Sequence, residues 1–180
     1  INAEYGVTFL GDCSVGKTSI IQRISQNQFS DLIPATTGYG CTQYTMKQNE
    51  TILKFQLWDT AGQEKYRSLT PNLYKNADAI AIVCDLTEPA TLKNCAFWLA
   101  QVAQGCVNDP VVVLLGNKCD VSSSDGAEAE AFAKQHQIHF FQSSAKTGQG
   151  IDDALQCIAQ HVQIVAKPQV LEAKQKGGCC

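Results

Sequence analysis

Short apolar runs alternate along the chain with stretches in which apolar residues recur every three to four positions. The runs predict strands over residues 4–10, 38–47, 52–59, 79–84, 111–115 and 138–141. The wider spacing predicts helices. Ile20, Ile21 and Ile24 mark the first, and others are expected near 91–104, 126–136 and 151–165. Gln48-Asn49-Glu50-Thr51 separates the second and third strands and reads as a hairpin. Elsewhere strand and helix alternate, which implies βαβ units. The expected fold class is α/β: a mostly parallel six-stranded sheet with one antiparallel strand and helices on both faces. Lys167-Pro168 is expected to break the last helix, leaving a folded domain over 4–166 and a flexible polar tail over 167–180.

At 180 residues the chain fits one domain and is long enough to fold around a core without disulfide or metal staples. Apolar residues make up 44% and charged residues 17%, which excludes a disordered or collagen-like chain. A net charge of −3 argues against broad nucleic-acid binding. No run approaches the eighteen or so apolar residues of a membrane span. No basic, hydrophobic leader opens the chain at Ile1. The nine cysteines include no C-x-x-C pair, and Cys84, Cys95, Cys106 and Cys157 fall within apolar patterns. They read as reduced thiols that pack as small hydrophobes, not as a disulfide framework.

Candidate chemistry follows the strands. Gly11-Asp12-Cys13-Ser14-Val15-Gly16-Lys17-Thr18 matches G-x-x-x-x-G-K-[ST] between a predicted strand and a predicted helix. Such a loop turns backbone N–H groups toward phosphate oxygens at a positive helix end. Lys17 is then expected on the β- and γ-phosphates and the Thr18 hydroxyl on Mg²⁺. Asp59, at the end of the third strand, suits the same Mg²⁺. Gly62 is expected to bring its backbone N–H to a γ-phosphate, and Gln63 to orient an attacking water.

The base is read elsewhere. The carboxylate of Asp120, in Asn117-Lys118-Cys119-Asp120, is placed where it can accept from both N1–H and N2–H of guanine, a pair of donors that adenine lacks. A buried pairing of this kind discriminates strongly between bases. Ser144-Ala145-Lys146 follows the next strand and is expected to offer a backbone N–H to the guanine O6.

Together GDCSVGKT, WDTAGQE, NKCD and SAK resemble, in order and spacing, the Ras superfamily of small GTPases. KFQLWDTAGQEKYRSLT, LYKNA and IVCDLT are similar to the Rab family, with an endosomal flavour around KYRSLTPNLYKNA. The resemblance implies a P-loop domain of the Ras-like type, covering about residues 4–165. It also implies GTP or GDP as bound nucleotide, Mg²⁺ as cofactor and GTP hydrolysis. By position, the nucleotide contacts would come from Cys13, Ser14, Val15, Gly16, Lys17, Thr18, Ser19, Phe29, Pro34, Thr36, Gly62, Asn117, Lys118, Asp120, Ser144, Ala145 and Lys146. Phe29 would pack on the base, and Thr36 would complete the metal shell with Thr18 and Asp59. Lys17 and Gln63 would be catalytic. Residues 29–39 and 59–74 would be the two switches, and Trp58 and Tyr74 would face effectors. Cys179 and Cys180 would carry geranylgeranyl groups, two lipids giving the stable anchoring that one does not. Implied partners are an exchange factor, a GTPase-activating protein, a GDP-dissociation inhibitor, the prenylation machinery and effectors, acting on a monomer. The implied location is the cytosol and the cytoplasmic face of endomembranes.

Two positions depart from the family pattern. Cys41 stands where Rabs place an effector-facing Phe. Cys13 and Ser14 stand in the phosphate loop where Ras has glycines and Rabs commonly a Ser then a Gly. Cys13 beside the γ-phosphate would crowd Gln63 and any incoming arginine, so intrinsic hydrolysis is expected to be slow. Residues 29–39 contain no arginine, so acceleration is expected from a partner's arginine. A hydrolysis-deficient GTP-binding adaptor is the alternative, and a P-loop kinase or ATPase is disfavoured by Asp120. His136 and His139, three apart, straddle a predicted helix end and read as ordinary polar residues, and Glu128, Glu130 and Lys134 as a solvated helix face.

Overall fold

The computed structural model of the protein describes residues 2–48, 50–60 and 71–175. The chain runs β1 (Asn2–Leu10), α1 (Lys17–Gln26), β2 (Tyr39–Gln48), β3 (Thr51–Thr60), α2 (Pro71–Tyr74), β4 (Ala79–Asp85), α3 (Pro89–Gly105), β5 (Val111–Asn117), α4 (Ala127–Gln135), β6 (His139–Gln142) and α5 (Ile151–Gln175). The strands form one six-stranded sheet in the order β2-β3-β1-β4-β5-β6. Among the described residues only the β2–β3 pair is antiparallel, Tyr39 facing Thr60 at one end and Gln48 facing Thr51 at the other. The other neighbours pair in parallel.

Burial explains the patterns. All seven residues of β4 are buried, as expected for a central parallel strand covered on both faces. Because side chains alternate along a strand, Ala79, Ala81 and Val83 enter one core cluster, with Ile20 and Ile21 of α1 and Leu155, Ile158 and Val162 of α5. Ile80, Ile82 and Cys84 enter the other, with Cys95, Trp98 and Val102 of α3 and Ala129 and Ala133 of α4. β2, at the sheet edge, is exposed or half-buried throughout.

Two features differ from the sequence expectation. The four-residue α2 has too little periodicity to announce itself. The last helix does not stop at Lys167-Pro168 but continues to Gln175. Proline removes one backbone donor from a helix, at a cost of about 3 kcal/mol. The residues beyond it, Gln169-Val170-Leu171-Glu172-Ala173-Lys174-Gln175, are mostly good helix formers, and the helix resumes through them.

The order β3-β1-β4 sets β1 between a strand on one side and the β4-β5-β6 series on the other. The chain's winding reverses there, and ligands of such sheets bind beyond the carboxyl ends of the strands at that point. β1, β3, β5 and β6 all have their carboxyl ends at this edge.

Candidate functional site

The loop after β1 turns through three residues at positive φ, Gly11, Ser14 and Gly16, before α1 begins. Gly16 has φ of 102°, and a Cβ there would lie 2.2 Å from Asn117 Nδ2, so only glycine fits. Ser14 also sits at positive φ, 62°, a conformation costly for a residue with a Cβ. Lys17 lies at the helix start and is 5% exposed. Its Nζ donates to the carbonyls of Gly11 at 2.8 Å and Asp12 at 2.6 Å, curling the loop around the ammonium. Burial lowers the Lys17 pKa to about 8, against the opposing pull of Asp59, Cys13 and Asp12. A phosphate placed beside it would favour the charged form further. α3 holds Asp12 from the other side, through Asn94 Nδ2 at 2.6 Å and Trp98 Nε1 at 3.2 Å.

Three oxygen donors converge next to Lys17. Thr18 Oγ1 donates to Asp59 Oδ2 at 2.6 Å and lies 2.8 Å from Thr36 Oγ1, while Thr36 Oγ1 stands 3.5 Å from the same carboxylate oxygen. Asp59 is buried, and its Oδ1 has no hydrogen-bond partner among the described residues. Burial raises its pKa, and the hydroxyls of Thr18 and Thr36 and the charge of Lys17 only partly offset that. An orphaned buried carboxylate oxygen beside two hydroxyls is a hard, all-oxygen donor set, and it fits Mg²⁺. Thr18, Thr36 and Asp59 are the residues that would hold it.

The base side is organised by Asn117 at the end of β5. Its Nδ2 donates to the Val15 carbonyl at 2.9 Å, and its Oδ1 accepts from the Ala145 N–H at 3.1 Å. One amide thus joins the phosphate loop to the loop after β6. Asp120 accepts from Ser144 Oγ at 2.6 Å through Oδ1, which aims the carboxylate and leaves lone pairs for a ligand. Lys118 reaches back to Asp85 Oδ2 at 2.5 Å. Burial alone would raise the Asp85 pKa, but the bonds from Lys118 and Thr87 outweigh it and hold the carboxyl below its usual range.

These loops enclose a cavity of about 440 Å³. Of the residues expected there, Cys13, Ser14, Gly16, Lys17, Thr18, Ser19, Phe29, Pro34, Thr36, Asn117, Lys118, Asp120, Ala145 and Lys146 line it. Val15 and Ser144 do not: both side chains are fully buried, and they support the lining through the Asn117 and Asp120 bonds. Gly62, Gln63, Cys179 and Cys180 lie outside the described residues. Trp58 is half-buried beside exposed Tyr39, with ring centroids 6.3 Å apart, and opposite Cys41 in the β2–β3 ladder. Tyr74, expected to face effectors, is placed differently from Trp58. Its ring is 2% exposed, packed where a Cβ on Gly105 would stand 2.5 Å from it, so in this conformation it faces the core.

Arg23 was not anticipated. From α1 its Nε donates to the Ala145 carbonyl at 2.8 Å and one terminal nitrogen to the Lys146 carbonyl at 2.5 Å. The other terminal nitrogen holds the Asn27 carbonyl and side chain at 3.1 and 3.0 Å. The Ala145 and Lys146 carbonyls lie 122 and 123 residues away along the chain, so the local sequence around Arg23 offers only a charged helix position.

A lysine-bearing phosphate loop, a hydroxyl–carboxylate metal pocket and a carboxylate-tipped base loop in one cavity define a P-loop nucleotide-binding domain. The Ras family model matches residues 6–164. The chain is 34% identical over 166 residues to GTP-binding protein ypt5 of Schizosaccharomyces pombe, covering 89% of this chain and 79% of that one. It is 30% identical over 190 residues to Ras-related protein RabC of Dictyostelium discoideum, covering 98% and 97%. It is 35% identical over 182 residues to Ras-related protein RABF2a of Arabidopsis thaliana, covering 99% and 87%. The chain therefore belongs to the Ras family, as a Rab-type small GTPase.

Proposed function

We propose that this protein is a membrane-recruited switch of vesicular traffic that binds GTP with Mg²⁺, hydrolyses it slowly alone and is accelerated by a partner's arginine. The observation that carries the proposal is that Lys17, Thr18 and Thr36 line the same cavity as Asp120, with Asp59 bonded to the Thr18 hydroxyl and its Oδ1 unpartnered among the described residues.

Guanine is oriented by Asp120, with the Ala145 and Lys146 backbone beside it and Phe29 on the cavity wall. Lys17 releases the Gly11 and Asp12 carbonyls and turns its ammonium to the β- and γ-phosphates, where it stabilises charge building on the leaving oxygen. Thr18, Thr36 and Asp59 would hold the Mg²⁺, which would supply neutralisation of phosphate charge. Thr36 joins Thr18 and Asp59 only when residues 29–39 fold over the cavity, so its hydroxyl couples nucleotide state to the shape of that segment. Gln63 orients the attacking water and Gly62 reads the γ-phosphate. Cys13 lines the cavity with Sγ 3.5 Å from Ser14 Oγ, bulk that supports slow intrinsic turnover.

The face formed by Tyr39, Cys41 and Trp58 is the proposed effector surface. Exchange factor, activating protein and GDP-dissociation inhibitor act on the two switches of a monomer. Cys179 and Cys180 are the proposed lipid sites of the 167–180 tail, which tethers the 4–166 domain to the cytoplasmic face of endomembranes. No helix among the described residues is long and apolar enough to cross a membrane. Helical backbone from Lys167 to Gln175 rises only about 1.5 Å per residue, which keeps the domain close to the bilayer.

Single-turnover hydrolysis of bound GTP tests the chemistry. The wild type turns over slowly and Gln63→Leu more slowly still with GTP binding intact. A Gln63→Leu rate equal to wild type removes Gln63 from the mechanism, and no turnover in wild type, with or without an activating protein, favours the adaptor. Cell fractionation of the Cys179→Ser/Cys180→Ser variant tests the anchor, and persistence on membranes refutes it.

A further inference from the structure

His139 opens β6 and is exposed, whereas Cys157 and His161 are half-buried one turn apart on one side of α5. One ligand atom from each of the three lies within 4.8 Å of the others. The His139 and His161 rings stand 4.8 Å apart at 59°, and Cys157 Sγ is 3.8 Å from His161 Nδ1. His161 Nδ1 also lies 2.8 Å from the Cys157 carbonyl oxygen. A carbonyl only accepts, so Nδ1 carries the proton and Nε2 keeps its lone pair. A backbone carbonyl on one imidazole nitrogen is the contact that commonly orients the other toward a metal.

We propose that His139, Cys157 and His161 form a zinc site that clamps the start of β6 to α5, with a fourth position open to water or to a ligand from a partner. Two imidazoles and a thiol suit Zn²⁺ and exclude Mg²⁺, which takes oxygen donors. Zinc bonds of about 2.0–2.1 Å to nitrogen and 2.3 Å to sulfur put tetrahedral donor atoms roughly 3.3–3.6 Å apart. The widest separation, 4.8 Å, therefore closes by roughly 1.2–1.5 Å on binding, a movement that rotation of the exposed His139 side chain supplies. The Cys157 S–H bond breaks, its proton goes to solvent, and the thiolate lone pair forms the S–Zn bond, while both imidazoles bind neutral. The site lies at the amino end of β6, away from the carboxyl edge that carries the nucleotide loops, so it does not compete with nucleotide or Mg²⁺. It holds α5 ahead of the segment that leads toward Cys179 and Cys180.

Cobalt(II) substitutes for zinc and reports thiolate ligation by its charge-transfer absorption. Full-length protein loaded with GDP and excess Mg²⁺ is titrated with Co²⁺, then with Zn²⁺. One equivalent of Co²⁺ should bind with a thiolate band, and Zn²⁺ should displace it. Affinity should fall at least tenfold in both Cys157→Ser and His139→Ala, with GDP retention unchanged. The eight other cysteines remain in Cys157→Ser, so the difference isolates this thiol. Should Cys157→Ser fold poorly, His139→Ala, at an exposed position, carries the test. A missing thiolate band, or one that survives in His139→Ala with unchanged affinity, overturns the proposal.

Discussion

Replacing Asn117 with Ala removes an amide that is 1% exposed and bonded at both ends. The Val15 carbonyl and the Ala145 N–H lose their partners in a buried setting. Each unsatisfied group costs about 1–3 kcal/mol, so the pair costs about 2–6 kcal/mol. Typical domains hold about 5–15 kcal/mol of stability, so the variant should fold yet keep its two nucleotide loops uncoupled. If only the lower bound, about 2 kcal/mol, is felt in the nucleotide complex, affinity falls roughly thirtyfold. The assay is release of a fluorescent GDP analogue into excess unlabelled GDP, with urea unfolding of the loaded protein alongside. Asn117→Asp sharpens the test, because it keeps the acceptor for Ala145 but turns a carboxylate oxygen on the Val15 carbonyl. It should release nucleotide at least as fast as Asn117→Ala. Release within twofold of wild type and an unchanged urea midpoint would refute the view that this amide holds the site together.

Asp120→Asn exchanges an acceptor for a mixed amide, so it should weaken GTP and favour xanthosine triphosphate in a competition assay. A GTP affinity within about threefold of wild type, under 1 kcal/mol, would contradict guanine recognition by Asp120. Arg23→Ala removes the charged bonds to the Ala145 and Lys146 carbonyls, and nucleotide release should rise about tenfold or more, since hydrogen bonds to charged groups contribute about 1.5–3 kcal/mol. Arg23→Lys keeps the charge but not the planar fork and should rescue only part of the loss; full rescue would reduce Arg23 to simple charge. Removing divalent cations with a chelator should likewise speed nucleotide release, and Thr18→Ala should abolish that sensitivity. A chelator effect that persists undiminished in Thr18→Ala would take Thr18 out of the metal pocket.

The elements that were legible in the chain are those whose cause is local. β4 shows as an apolar run because both its faces are covered, and the hairpin shows because β2 and β3 are joined by a short polar turn. The phosphate loop was legible because its demands are sequential: Gly16 must avoid Asn117, and Lys17 must follow it at the helix start. What stayed hidden depends on distant chain segments. Arg23 reads as a surface charge until the loop after β6 arrives beside it. Asn117 reads as a base contact, whereas its amide is bonded at both ends to protein backbone. His139 pairs in sequence with His136, but in space with Cys157 and His161 across the β6–α5 contact. Tyr74 sits in a segment with family precedent for exposure, yet the glycine at position 105 opens a slot that takes its ring. Pro168 obeys a local stopping rule that the helix-forming residues after it override.

The most direct test is the nucleotide the protein carries. The chain is purified in Mg²⁺-containing buffer and denatured, and the released small molecules are separated by chromatography and counted per chain. The Lys17, Asp59 and Asp120 geometry predicts close to one guanine nucleotide per molecule, GDP or GTP, lost when Mg²⁺ is stripped before purification. Adenine nucleotide in that position, or nucleotide-free protein that fails to take up GTP when Mg²⁺ is supplied, would contradict it.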